Sequence, residues 1–208
     1  MLPSFTGIAV HDGFKPYRRY TQAQHALCNV HHLRELLGVI EQHPDDPQQS
    51  WAVAMDRLLR DLHTTVQRTR ASGADRLDPG ELAGCRAAYE QIVTLGHHHN
   101  PAPTIKTGKR GVIRQTPARN LLVRLDEHRE QVLRFAHDFR VPFDNNRAER
   151  DIRMIKLQQK ISGSWRTITG AEQFLALRAY LSTAGKNQHP VTHALTALAR
   201  RDPWLPAT

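Results

Sequence analysis

Apolar residues recur at helical spacing along most of this 208-residue chain. Over residues 22 to about 42, Ala26, Val30, Leu33, Leu37 and Ile40 fall on one helical face, until His43, Pro44, Asp45, Asp46 and Pro47 break it. Ser50 reads as the cap of a second helix, with Val53, Leu58, Leu59, Leu62 and Val66 inward. Asp78 as N-cap, Pro79 behind it and Glu81 three residues on start a third. That helix carries Leu82, Cys85, Tyr89, Ile92 and Val93 and is expected to stop near Gly96. Pro117 opens another, with Leu121, Leu122, Leu125, Val132, Leu133, Phe135 and Phe139 inward. Thr169, Gly170, Ala171 and Glu172 form a capping box for a helix running to about Lys186, and Pro190 opens a last one through Ala199. Only residues 5–10 read as a strand, closed by the turn signal His11, Asp12, Gly13. A single strand cannot form a sheet, so residues 6–10 are expected to pair with another chain or to be the surviving edge of something larger. The expected fold is mainly α: one N-terminal strand followed by about seven helices.

Charge sharpens this picture. The net charge of +9 sits in two places. Residues 104–120 hold five cations (Lys106, Lys109, Arg110, Arg114, Arg119) and no acid, inside a long polar connection that starts at His97. Residues 147–166 hold six cations and two acids. These segments account for the whole excess, which suggests a polyanionic partner, most simply nucleic acid; the plainer alternative is a solvated surface. No stretch approaches a membrane span, and residues 1–10 are too short and lack the basic start of a signal peptide. Two cysteines, Cys28 and Cys85, make no disulfide framework, which fits a reducing cytoplasm.

Three groups of residues are candidates for chemistry. The run VPFDNNRAER (141–150) starts a helix, with Asp144 and Asn145 as caps, and puts Glu149 in its first turn. Glu149, Arg153, Lys156 and Lys160 then share one stripe, beside an apolar stripe of Ala148, Ile152 and Ile155. An acid heading a cationic stripe suits both a divalent metal and a phosphate backbone; ion pairing along a surface helix is the plainer alternative. Asp12 ends a strand, where α/β folds place reacting groups, although Asp-Gly is also a common turn. Cys28, His31 and His32 fall on one helical face with His25 a turn earlier, a spacing open to zinc or to histidines hydrogen-bonded around a polar core. His97, His98 and His99 are read as a loop run without a role.

Together these residues resemble transposases of the insertion sequence 66 family. The likeness rests on the strand with Asp12 and Gly13, CNVHH (28–32), a long helical stretch and PFDNNRAERDIR (142–153). Further matches are KRG (109–111), ARNLL (118–122), QKISG (159–163) and RAYLSTA (178–184). The resemblance runs from about Gly7 to Thr196, nearly the whole chain.

It implies the C-terminal portion of a ribonuclease H-like α/β fold of the DDE type, interrupted by a helical insertion. Residues 1–42 would be the end of that core, 43–138 the insertion with its basic loop at 97–116, and 139–208 the core helix with the third acid and the C-terminal helices. Asp12 would be the second catalytic acid and Glu149 the third, both holding Mg2+ or Mn2+ for phosphoryl transfer on DNA. Lys156 would contact DNA, with Lys106, Lys109, Arg110, Arg114, Arg119, Arg153 and Lys160 as further contacts. Cys28 and His31 would buttress the core.

The family's first aspartate has no counterpart here. The chain is therefore expected to be a fragment, inactive on DNA alone, with the metal bound only when that acid is supplied. Expected partners are transposon ends, an upstream transposase segment and a second copy of the chain, and no membrane. A non-catalytic DNA-binding remnant and a zinc-stabilised helical interaction module are the alternatives.

Overall fold

The structure is a computed structural model that describes residues 5–44, 46–103, 115–146, 149, 150, 153, 157, 160, 163, 165 and 167–206. The expected DNA contacts Lys106, Lys109, Arg110, Arg114 and Lys156, and the apolar stripe of Ala148, Ile152 and Ile155, lie outside the described residues. The chain forms two compact units, Met1–Asn145 and Asn146–Thr208.

In the first unit, β1 (Ile8–His11) pairs in parallel with β2 (Gln24–Leu27), so that His11 lies opposite Leu27. The expectation of a single strand is thus corrected: Ile8–His11 pair with a second strand within the chain. Its four residues carry no β-branched side chain and no alternation, and Ala26 and Leu27 equally suit a helix. They form a strand because both are buried, as a covered parallel strand requires on its two faces. Arg134 guards its edge, donating from Nε to the His25 carbonyl at 2.8 Å and from Nη1 to Gln24 Oε1 at 3.0 Å.

The first helix consequently starts seven residues later than the pattern suggests. It is α1 (Asn29–Gln42), and its inward face is Asn29, His32, Leu33, Leu36 and Val39, while Leu37 is exposed. Then come α2 (Ser50–Ala71) and α3 (Pro79–His99). Ser50 is the first helical residue of α2 and not its cap, and the buried stripe is Trp51, Ala52, Met55, Leu59, Leu62 and Val66; Val53 is exposed. Asp78 caps α3 as expected, accepting from the amides of Gly80 and Glu81. Gly96 does not stop α3. It lies where α3 meets α4 (Pro117–Glu127), and a Cβ there would collide with Leu122 and crowd Trp51. The three histidines therefore form the last helical turn instead of a loop. The helix expected from Pro117 onward breaks at His128 into α4 and α5 (Arg129–His137). All its predicted inward residues are buried.

The second unit contains α6 (Ile168–Lys186) and α7 (Val191–Ala199). Thr167, two residues before the expected capping box, caps α6 by accepting from the Gly170 amide. Tyr180 joins the unit: its hydroxyl donates to the Ala194 carbonyl and accepts from the Trp204 amide. The His189 ring stacks on Trp204 at 4.6 Å. Asn146, Glu149, Arg150, Arg153, Leu157 and Lys160 have helical backbone, in keeping with a helix that starts after Asp144 and Asn145. Among the described residues no helix is long and apolar enough to cross a membrane.

Candidate active site

Asp12 stands directly after β1 and is exposed. Gly13 follows with φ of 85°, a left-handed conformation that side chains disfavour, so the chain can turn sharply here. The turn is closed twice. Asp12 Oδ1 accepts the Phe14 amide at 3.0 Å, and His11 Nδ1 accepts the Gly13 amide at 3.0 Å.

That second bond sets the protons of a histidine pair, His11 buried and His25 half-buried. An amide can only donate, so His11 Nδ1 is the acceptor and its proton sits on Nε2. His11 Nε2 then donates to His25 Nδ1 at 3.0 Å, and His25 Nε2 donates to the Tyr20 carbonyl at 3.1 Å. Both rings are neutral in this chain of bonds. Burial, followed by the neighbouring His25, holds His11 down at about 4. The end of β1 is therefore braced from within by uncharged groups, leaving Asp12 as the acid at the surface.

Behind the strands, two segments that are far apart in sequence meet. The Cys28 amide donates to the His11 carbonyl at 2.9 Å, which continues the ladder to the start of α1. The Asn29 amide donates to the Phe143 carbonyl at 2.9 Å, and the Asn145 amide donates to Cys28 Sγ at 3.4 Å. Asn29 Nδ2 also reaches the Val132 carbonyl at 3.0 Å. CNVHH and the opening of PFDNNRAER thus adjoin each other. Phe143 is pinned there by the His63 ring, stacked at 4.1 Å, and by Phe135 edge-on at 4.9 Å. Burial raises the Cys28 thiol above its ordinary range, so it stays protonated. His32, which touches Asn29 Oδ1 through Nδ1 at 3.2 Å, is lowered to about 3 by burial and then by Arg124, His31 and His128. The expected single helical face of Cys28, His31 and His32, with His25 a turn earlier, is corrected. His25 belongs to β2, Cys28 precedes α1, and His31 is half-buried in the first turn of α1, its amide on the Cys28 carbonyl.

Glu149 is half-buried in the second unit, where Arg153 and Lys160 are exposed. Arg119 serves the interior of the first unit: its Nη1 donates to His97 Nδ1 and to the Asn100 carbonyl, both at 2.8 Å. His97 continues through Nε2 to Asp126, which also pairs with Arg129. Sequence reasoning missed the His11 and His25 pair, because His25 was read on a helix. It also gave no role to Asn29 and treated Asn145 only as a cap, although both stand inside the motifs that carried the resemblance.

An exposed acid at the carboxyl end of a parallel strand, held by a glycine turn and braced from behind, is the setting in which α/β proteins place reacting groups. The family follows from comparison: residues 1–173 match the Transposase IS66 family, and the chain belongs to it. No curated protein and no solved structure matches the chain. Membership ties the chain to transposition.

Proposed function

We propose that the chain acts in DNA transposition as part of a DDE-type catalytic domain. In this reading β1, β2 and α1 belong to a ribonuclease H-like core, and residues 43–138 are a helical insertion in it. Asp12 is the second acid and Glu149 the third; no residue of this chain is assigned as the first. The observation that carries the reading is the setting of Asp12. Its carboxylate is exposed at a strand end, Oδ1 is committed to the Phe14 amide, and hard carboxylate oxygens are the donors that magnesium or manganese prefers. Bound there, such a metal supplies Lewis acidity for phosphoryl transfer. The chain's own residues do the positioning. His11 and His25 hold the end of β1 without adding charge, while Cys28 and Asn29 tie α1 to residues 143–145, four residues ahead of Glu149 in sequence. His31 stands in the same first turn of α1 as a buttress. Arg153 and Lys160 are exposed and, with Lys106, Lys109, Arg110, Arg114 and Lys156, form the proposed contacts to the DNA backbone, whereas Arg119 is held by His97 and Asn100.

The test is strand cleavage of DNA carrying the element's ends, in magnesium or manganese, with and without a polypeptide that supplies the first acid. Cleavage should appear with that polypeptide and be lost in Asp12→Asn and Glu149→Gln. The loss should exceed the roughly 10–100-fold expected for a residue that merely supports a metal ligand. Unchanged cleavage by Glu149→Gln would overturn the assignment of roles. Steeply salt-dependent DNA binding without cleavage under any condition would favour the non-catalytic DNA-binding reading instead.

A further inference from the structure

The segment directly after Asp12 has no part in the reading above, yet its composition is unusual. Phe14, Lys15, Pro16, Tyr17, Arg18 and Arg19 place two aromatic rings among three cations and no acid. Lys15–Arg19 is a short 3-10 helix with Pro16 in its first turn, so the backbone is stiff. Tyr17 stacks on His11, with centroids 4.8 Å apart, and the Phe14 ring meets Tyr17 edge-on at 6.3 Å. Phe14 nonetheless remains 62% exposed. Its amide is the one bound to Asp12 Oδ1, so one turn orients both the acid and the ring. Arg18 Nη2 contacts His128 Nε2 at 2.7 Å, which fixes its guanidinium, and among the described residues no ion pair engages Lys15 or Arg19.

A fixed aromatic face in water, flanked by uncompensated cations, matches what a single strand of nucleic acid presents: a base to stack on and phosphates on either side. Inside a duplex each base is covered on both faces by its stacked neighbours, so a base that is frayed or unpaired suits such a ring better. We propose that residues 14–19 bind an unpaired base at a DNA end, with Phe14 stacked on the base and Lys15, Arg18 and Arg19 against the adjoining phosphates. This rests on the DNA-transposition reading and adds to it that the strand beside Asp12 is locally unpaired.

The experiment compares binding of the full chain to two DNA hairpins, one blunt and one with a four-nucleotide 3′ overhang carrying 2-aminopurine. Base stacking on an aromatic ring is tolerant of sequence, so neither hairpin needs the element's own ends. The overhang should bind about tenfold more tightly, with quenched 2-aminopurine fluorescence. Phe14→Ala should lose both preference and quenching, while Phe14→Trp keeps them; unchanged circular dichroism and melting show that both variants fold. Lys15→Gln and Arg19→Gln should each lower the salt slope by about 0.7. Equal binding of the two hairpins, or quenching that survives Phe14→Ala, would overturn this inference while leaving the transposition reading in place. Failure to bind either hairpin at low salt would overturn both.

Discussion

The two units spend their apolar residues differently. In the first, Trp51, Met55, Leu59, Tyr89, Leu121, Leu122, Leu125, Val132 and Leu133 are almost wholly withdrawn from water and form one continuous core. In the second, the only side chains fully buried on α6 and α7, among the described residues, are Ala184 and Ala194. Ile168, Leu175, Leu177, Val191, Leu195, Leu198 and Leu205 are exposed there. Burial of a Leu or Ile side chain contributes about 1.5–3 kcal/mol, so among the described residues most of the stability from apolar burial lies in the first unit. Among the described residues of the second, Tyr180 and Trp204 add local polar bonds and a ring contact. The comparison teaches that similar helical patterns do not imply similar packing.

Three experiments bear on this contrast. The largest effect should come from Trp51→Ala, which empties the centre of the first core next to Gly96 and should cost about 3–5 kcal/mol. Denaturant unfolding would report it as a large loss of midpoint; a loss under 1 kcal/mol would mean that this core is not what holds the unit.

Acid should weaken the first unit next. His32 is buried among Arg124, His31 and His128, and its folded value of about 3 lies below the ordinary 6.5. Between these values the unfolded chain binds a proton that the folded chain refuses, so stability falls as pH drops below 6.5. The slope approaches about 1.4 kcal/mol per pH unit for this one group. His32 alone should make the stabilities at pH 7.5 and pH 5 differ by about 2 kcal/mol, and His32→Gln should remove that share while leaving the one due to His11.

The smallest effects compare the two units directly. Asp78→Ala and Thr167→Ala each remove a helix cap of the same kind, at about 1 kcal/mol apiece. Calorimetry should show Asp78→Ala lowering the main transition, and Thr167→Ala lowering a separate, weaker one. A single transition shifted equally by both would show that the units unfold together and would remove the contrast.

Much of this was readable in the chain. The caps at Asp78, Pro79 and Pro190 are local signals that act within one helical turn, and each starts its helix where the pattern puts it. The inward residues of α4 and α5 repeat regularly enough that a break at His128 does not disturb them. The errors share a cause. Residues 24–27 become a strand only because β1 and α5 cover them, which no local propensity records. Moving the start of α1 to Asn29 then turns its face, bringing His32 inward and leaving Leu37 in water. At the candidate site, Asp12 was legible because a strand followed by Asp-Gly is a local pattern. The neutral pair behind it was not, since His11 and His25 are fourteen residues apart and meet only through strand pairing.

By itself, the sequence determined the helical character of the chain, its main caps, the family to which it belongs and the turn that carries Asp12. Each of these depends on neighbours a few residues away, or on motifs long enough to be recognised whole. Tertiary structure alone decided that residues 24–27 pair with β1, that Cys28 and Asn29 hold residues 143–145, and that Arg119 is drawn to His97 and Asn100. Those outcomes turn on which distant segments satisfy a buried amide, carbonyl or ring nitrogen. An unpaired polar group in the interior costs about as much as a whole helix cap, or more, so the fold is selected to pair them and not by local propensity alone.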